Sequence, residues 1–215
     1  MNKLYLASQS PRRAQLLKDL NVPFEILRPS EGEDTESLEI PLKNELALDY
    51  VSRVTLAKLQ AAILRIKKQA EISWRPILCA DTTVCIPFNQ DSHQQGDIIL
   101  GKPRDDNQAW EMLTLLNNRW HWVHTAVAIQ KELLSHPVIK ISSTKVFFAN
   151  NSPKRLRAYI ATQEPHGKAG AYGIQGLGSV LIEKIEGSYS GVMGLPIFET
   201  TQLLDYAEIP FILSV

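Results

Sequence analysis

One segment constrains the fold more than any other. Pro76–Ile86 reads PILCADTTVCI, a nearly continuous apolar run with a single carboxylate at its centre. Apolar runs of this length without alternation mark strands covered on both faces, so the segment predicts a central strand inside an α/β sandwich. Asp81 is then costly in its place unless it is paired, ligated or protonated. Two readings follow from the residues: a structural carboxylate capping a nearby turn, or a metal ligand or general base at a strand end. Thr82 and Thr83 follow it, and such a strand end suits the edge of a site. Cys79 and Cys85 share the same run, roughly 20 Å apart if it is a strand, too far to bridge. They read as buried thiols of a reducing, cytoplasmic compartment.

The rest of the chain supplies the partners of that strand. Lys3–Ala7 is a short apolar strand, and Ser10-Pro11 opens a helix with Ser10 as N-cap and Pro11 at the first helical position. A strand is expected near Phe24–Leu27. Residues 31–39 carry Glu31, Glu33, Asp34, Glu36 and Glu39 and read as a mostly solvated loop. Lys43 to Ala70 is helical, with Leu46, Tyr50, Val54, Ala57, Ala61 and Leu64 as its buried stripe. A polar loop at 87–96, a strand from Asp97 and a helix over Asn107–Leu116 follow. Trp120–Ile129 and Val138–Phe148 predict antiparallel neighbours, and Ser152-Pro153 starts another helix. Eight of the 11 glycines then fall between Gly167 and Gly194, which predicts backbone in close approach to something. Leu195–Tyr206 closes the chain as a helix. No repeat, linker or boundary divides it, so residues 1–215 read as one domain.

Charge narrows the function classes. With 23 basic and 23 acidic residues the net charge is zero. That argues against a nucleic-acid coat or a polybasic membrane binder. No segment reads as a signal peptide or a membrane span. Local cationic groups remain. Arg12 and Arg13 stand in the first turn of a helix, where free N–H groups and fork-shaped donors suit phosphate. Ser152-Pro153-Lys154-Arg155 is a second start of the same kind with no chemistry attached. Lys58 lies among small residues and either snorkels to solvent, the option the sequence favours, or enters a cleft. Lys102 in Gly-Lys-Pro is a site-edge lysine or a turn. In the glycine-rich stretch Lys168 and Gln175 offer a cation and an amide able to read a base edge, or simply decorate a tight bend. The stretch lacks the spacing of a P-loop. His121 and His124, three apart in a strand, face opposite ways and make no metal pair.

Four separated motifs together resemble the Maf family of nucleotide pyrophosphatases: Leu6–Arg13 with Leu16-Leu17, Ala80-Asp81-Thr82, Gly101-Lys102-Pro103-Arg104, and the run from Tyr159 to Pro196. Glu164-Pro165, Lys168–Gly176 and Gly187-Ser188-Tyr189 are similar to the branch acting on dTTP and UTP. Gly167 stands where the family usually has Asp, and Gly191 where it usually has Asn. The resemblance implies a Maf/Ham1-like fold: an extended mixed β-sheet flanked by helices, in two lobes about a central cleft. It implies hydrolysis of a nucleoside triphosphate to the monophosphate and pyrophosphate with a divalent cation, Mg²⁺ or Mn²⁺. It makes Asp81 the catalytic acidic residue, the proton acceptor, with Glu33, Lys58 and Lys102 lining the cleft, and Asp81 and Glu33 are expected to hold the metal. Ser8, Ser10, Arg12, Arg13, Thr82, Lys168 and Gln175 bind substrate, with Arg12, Thr82 and Gln175 linked to its choice. A homodimer is implied as well. The second reading is a nucleotide-binding regulator of cell division without turnover.

Overall fold

A computed structural model of the chain describes residues 2–30, 32–34, 36–68, 73–87 and 96–214. In chain order the elements are β1 (Leu4–Leu6), α1 (Pro11–Asp19), β2 (Phe24–Ile26), α2 (Ala47–Lys68), β3 (Ile77–Ile86), β4 (Ile98–Leu100), α3 (Asp106–Leu116), β5 (Trp120–Gln130), β6 (Val138–Phe148), α4 (Pro153–Ala161), β7 (Ile182–Glu186), α5 (Tyr189–Met193) and α6 (Ile197–Tyr206). The seven strands form one mixed sheet in the order β2-β1-β3-β5-β6-β7, with β4 also on β3. β1 runs parallel to β2 and β3; every other pairing is antiparallel.

β3 is the expected central strand, and its two edges differ. β5 covers one edge from Ile77 to Cys85 without interruption. The other edge is shared: β1 pairs with Ile77 and Leu78, and β4 with Val84, Cys85 and Ile86. Among the described residues no strand pairs with 79–83 on that side. The sheet therefore opens beside β3, between a parallel and an antiparallel neighbour. Crevices of this kind, where strand order changes direction, are where α/β sheets hold ligands. Asp81 stands at the middle of the opening.

Helices cover both faces. α2 lays Leu59, Ala62, Ile63 and Ile66 on Tyr5, Ile77, Cys79 and Ala128. On the other face α1 and α6 pack Leu17, Leu203 and Leu204 against Leu4, Leu6, Leu78, Val127 and Ile129. α3 and α4 cover the far end of β3 and β5 through Leu113, Leu116, Leu156 and Tyr159. Each of these fully buried leucines contributes roughly 1.5–3 kcal/mol of transfer free energy. No helix among the described residues is long and apolar enough to cross a membrane.

Several expectations are corrected. The buried stripe of α2 is rotated: Tyr50 and Val54 are buried as expected, but Leu46 and Leu64 are exposed, and Val51, Thr55, Leu59, Ala62, Ile63 and Ile66 face the sheet. Ala57, Lys58 and Ala61 are half-buried and form a flank of the helix rather than its buried face. The acidic run is not simply solvated, because Glu33 and Glu39 are fixed in ion pairs. β7 and α5 are additions; IEKIE is only five residues long and does not alternate, and YSGVM is barely more than one helical turn. Residues 88–95 of the expected polar loop lie outside the described residues.

Candidate active site

A cavity of about 450 Å³ fills the opening of the sheet. On the α2 side its chemistry centres on Asp81, only 7% exposed. The flank of α2 delivers Lys58, whose Nζ donates to Asp81 Oδ1 at 2.5 Å and to Glu39 Oε1 at 2.6 Å. Lys102, from the turn after β4, donates to Glu39 Oε2 at 2.7 Å. The sequence favoured a solvent-facing Lys58; instead it enters the cleft. Burial depresses the Lys58 ammonium, but the charges of Asp81 and Glu39 outweigh that and hold it above its ordinary pKa. Burial likewise raises Glu39, and Lys58 and Lys102 reverse the effect, leaving it below the usual carboxylate range. The second oxygen of Asp81 takes no hydrogen bond among the described residues and is open to the cavity side.

The opposite wall is the N-terminus of α1. Ser10 is its N-cap residue by backbone, yet its hydroxyl caps nothing. Pro11 has no N–H, and the first intrahelical bond runs from Ala14 N to Ser10 O. The amides of Arg12 and Arg13 are thus left for a ligand, at the positive end of the helix dipole. Arg13 is braced: Nε donates to Gly194 O at 2.7 Å, and its terminal nitrogens donate to Ser8 Oγ at 3.1 Å and Thr82 Oγ1 at 3.3 Å. Arg12 is not braced. Burial and then the charge of Arg13 lower its pKa. Lys168 is lowered in the same way, by burial and then by Arg12. Two partly desolvated cations that destabilise each other are relieved together by an anion between them.

The glycine-rich segment is organised by Glu164. Its carboxylate accepts from Leu177 N at 2.9 Å, Gly178 N at 3.0 Å and Tyr159 Oη at 3.0 Å, and its carbonyl accepts from Lys168 Nζ. Gly176 sits at φ +125°, and a Cβ there would meet that carboxylate at 2.8 Å. At Gly178 a Cβ would lie 2.5 Å from Gly173 O. The close approach expected from the glycines is therefore made to the protein's own loop. It holds Lys168 and Tyr172 at the cavity wall.

Of the residues expected at the site, the structure gathers Asp81, Lys58, Lys102, Ser8, Ser10, Arg12, Arg13, Thr82 and Lys168 about one cavity. Two are elsewhere. Glu33 accepts from Arg65 Nε at 3.0 Å and from its terminal nitrogen at 2.6 Å, and does not line the cavity. Glu39, placed by a short 3-10 turn over Ser37–Glu39, stands where Glu33 was expected. Gln175 is exposed and outside the lining. Sequence reasoning missed Glu39, Glu164 and Tyr172; the only signals were an acid among five acids and a Glu-Pro before the glycines. His121 and His124 do point apart, to Tyr172 Oη at 2.7 Å and Ser143 Oγ at 2.8 Å.

The donor set fits a hard cation. Asp81 and Glu39 are already bridged by one cation, the Lys58 ammonium, so they can share another. Among the described residues no three His, Cys, Asp or Glu side chains converge. The protein thus offers two carboxylates and leaves the remaining ligand positions to phosphate and water oxygens, as magnesium-like cations prefer.

A family model described as Maf-like protein matches residues 3–207. A protein of Methylobacillus flagellatus named dTTP/UTP pyrophosphatase is 46% identical over 95% of this chain and 92% of its own. Proteins of the same name from Cupriavidus pinatubonensis and Burkholderia orbicola are 45% and 47% identical, each covering 97% of this chain and 98% and 94% of their own. The solved Staphylococcus aureus Ham1 protein shares the fold, with a TM-score of 0.50 and 13% identity over 95% of this chain and 97% of that one.

Proposed function

The chain belongs to the Maf family, and we propose that it is a nucleoside triphosphate pyrophosphatase that hydrolyses dTTP and UTP to the monophosphate and pyrophosphate. The observation that carries this reading is the convergence on one cavity of a carboxylate pair, two lysines and an open, arginine-flanked helix N-terminus.

The residues divide the work. Arg12, Lys168 and the amides at the start of α1 bind phosphate oxygens and neutralise their charge. Lys58 and Lys102 leave their carboxylate partners for the phosphates as the substrate enters, and follow the charge that moves to the leaving group. Asp81 and Glu39 are the residues that would hold a divalent cation, Mg²⁺ or Mn²⁺, whose charge stabilises the phosphate oxygens as a Lewis acid. A water attacks the α-phosphorus, the bond from that phosphorus to the bridging oxygen breaks, and pyrophosphate departs. Asp81, through its open oxygen, takes the proton of the attacking water. The Arg13 side chain holds Ser8 and Thr82 in place with three of its five donors spent within the protein, while its backbone amide faces the phosphates.

The test is a panel of nucleoside triphosphates with pyrophosphate, orthophosphate and both nucleotide products measured, metals varied. dTTP and UTP should be the best substrates, giving monophosphate and pyrophosphate. Asp81→Asn should lower turnover on the order of 100-fold or more. Release of orthophosphate, faster hydrolysis of purine nucleotides, or nucleotide binding without turnover would each overturn the proposal.

A further inference from the structure

Thr82 and Thr125 are register partners on β3 and β5, and Thr125 is wholly buried. Thr125 Oγ1 lies 2.8 Å from Gly191 O and 2.9 Å from Thr82 Oγ1. A hydroxyl carries one hydrogen and a carbonyl can only accept. Thr125 therefore commits its hydrogen to Gly191 O, and the Thr82–Thr125 bond uses the hydrogen of Thr82. Arg13 also donates to Thr82 Oγ1, at 3.3 Å, and a guanidinium cannot accept. The direction of the chain is fixed throughout: Arg13 to Thr82 to Thr125 to Gly191. The single valence left on Thr82, which lines the cavity, is a lone pair. On β3 Thr82 faces away from the Asp81–Lys58–Glu39 group, on the other side of the strand.

We propose that Thr125 is a positioning residue for base choice: by consuming the hydrogen of Thr82 it makes this point of the cavity wall an acceptor. An acceptor selects a ring N–H. Uracil and thymine carry one at N3, whereas cytosine presents a lone pair there and is repelled. The inference rests on the pyrimidine triphosphate reading above and adds to it the device that separates thymine and uracil from cytosine. The signal is not in any single residue, since Thr125 touches no ligand; it lies in the one-way chain that ends on a backbone carbonyl.

The experiment compares kcat/KM for dTTP against dCTP, and UTP against CTP, in the wild type, Thr125→Val and Thr125→Ser. Valine keeps the volume and removes the acceptor, so Thr82 regains a free hydrogen. The dTTP:dCTP ratio should fall about 10-fold or more, by loss on dTTP and gain on dCTP, while serine keeps it within about threefold. An unchanged ratio in Thr125→Val, or a wild type that does not distinguish dTTP from dCTP, overturns the inference. A second arm needs no variant. 3-Deazauridine triphosphate replaces N3–H with C–H without added bulk, and the wild type should process it at least about 10-fold less efficiently than UTP. Equal efficiency overturns the inference even if Thr125→Val does not fold. A wild type that turns over neither dTTP nor UTP removes the functional reading and this one with it; one that does, with unmoved ratios, removes this one alone.

Discussion

Lys58 separates two carboxylates that come from one sequence neighbourhood. Glu33 and Glu39 lie six positions apart in one acidic run, yet Glu39 shares an ammonium with Asp81 while Glu33 grips the buried Arg65. Their removal should therefore read out differently. Glu39→Gln takes a charge from the cation-holding pair, and turnover of dTTP should fall at least about 10-fold with little change in the urea midpoint. Glu33→Gln leaves a buried guanidinium with a weaker partner, which costs about 1–3 kcal/mol of stability and leaves kcat within a few-fold. Equal loss of turnover in the two variants would return Glu33 to the site. The run itself did not indicate which acid matters. Every acid in it has the same local character, and the choice is made by where a three-residue 3-10 turn puts Glu39 and where the flank of α2 puts Lys58 and Arg65. Asp81 was legible for the opposite reason: a lone carboxylate in a buried strand is costly unless it is paired, ligated or protonated.

At the scale of elements, α1 and α4 begin with the same Ser-Pro-basic pattern and end up in different roles. In α4, Ser152 Oγ accepts from Arg155 N at 3.3 Å and closes the helix start. In α1, Ser10 makes no such bond and the start opens onto the cavity. Ser152→Ala should thus cost about 1 kcal/mol in denaturant unfolding. Ser10→Ala should cost no more than about 0.5 kcal/mol, because no cap is lost. A Ser10→Ala loss as large as that of Ser152→Ala would show the two starts to be equivalent. The elements themselves were largely readable: β3, β5, β6 and five helices follow from apolar runs, period and proline placement. What escaped was decided by tertiary contact. β7 is too short and polar to announce itself before β6 offers it an edge, and the buried face of α2 is chosen by the sheet it packs on, past the competing apolar positions Leu46 and Leu64. β3 makes a further element-scale claim. Its thiols are pushed up by burial, Cys79 to about 11 and Cys85 to about 12. Neither should react with an alkylating reagent in the native protein at pH 8, and both should react in urea; native labelling would contradict the burial of the strand.

At the scale of the whole molecule, a histidine whose charging is opposed by burial ties the sheet to the cavity wall. His121 on β5 is fully buried, bonds Tyr172 Oη through Nε2, and leaves Nδ1 without a partner among the described residues. It packs edge-on against Phe148 and Tyr172, so it joins the sheet to the loop that lines the cavity. Burial lowers its pKa from 6.5 to about 3. The unfolded chain therefore binds a proton that the folded one refuses. The stability this group contributes is complete above pH 6.5 and is lost as pH falls from there toward 3, by at most about 1.4 kcal/mol per pH unit. His124, also lowered by burial, adds to the same slope. The lowered carboxylates Glu33, Glu39 and Glu164 act further down, below their ordinary 4.5. The interval between pH 6.5 and 4.5 thus belongs chiefly to the two histidines. His121→Gln retains a polar partner for Tyr172 but cannot take up a proton. Across that interval it should lose about 2 kcal/mol less stability than the wild type, whatever its stability at neutral pH. Unfolding free energies from urea titrations at four or five pH values would measure the slope, and parallel curves for the two proteins would mean that His121 is protonated in the native state.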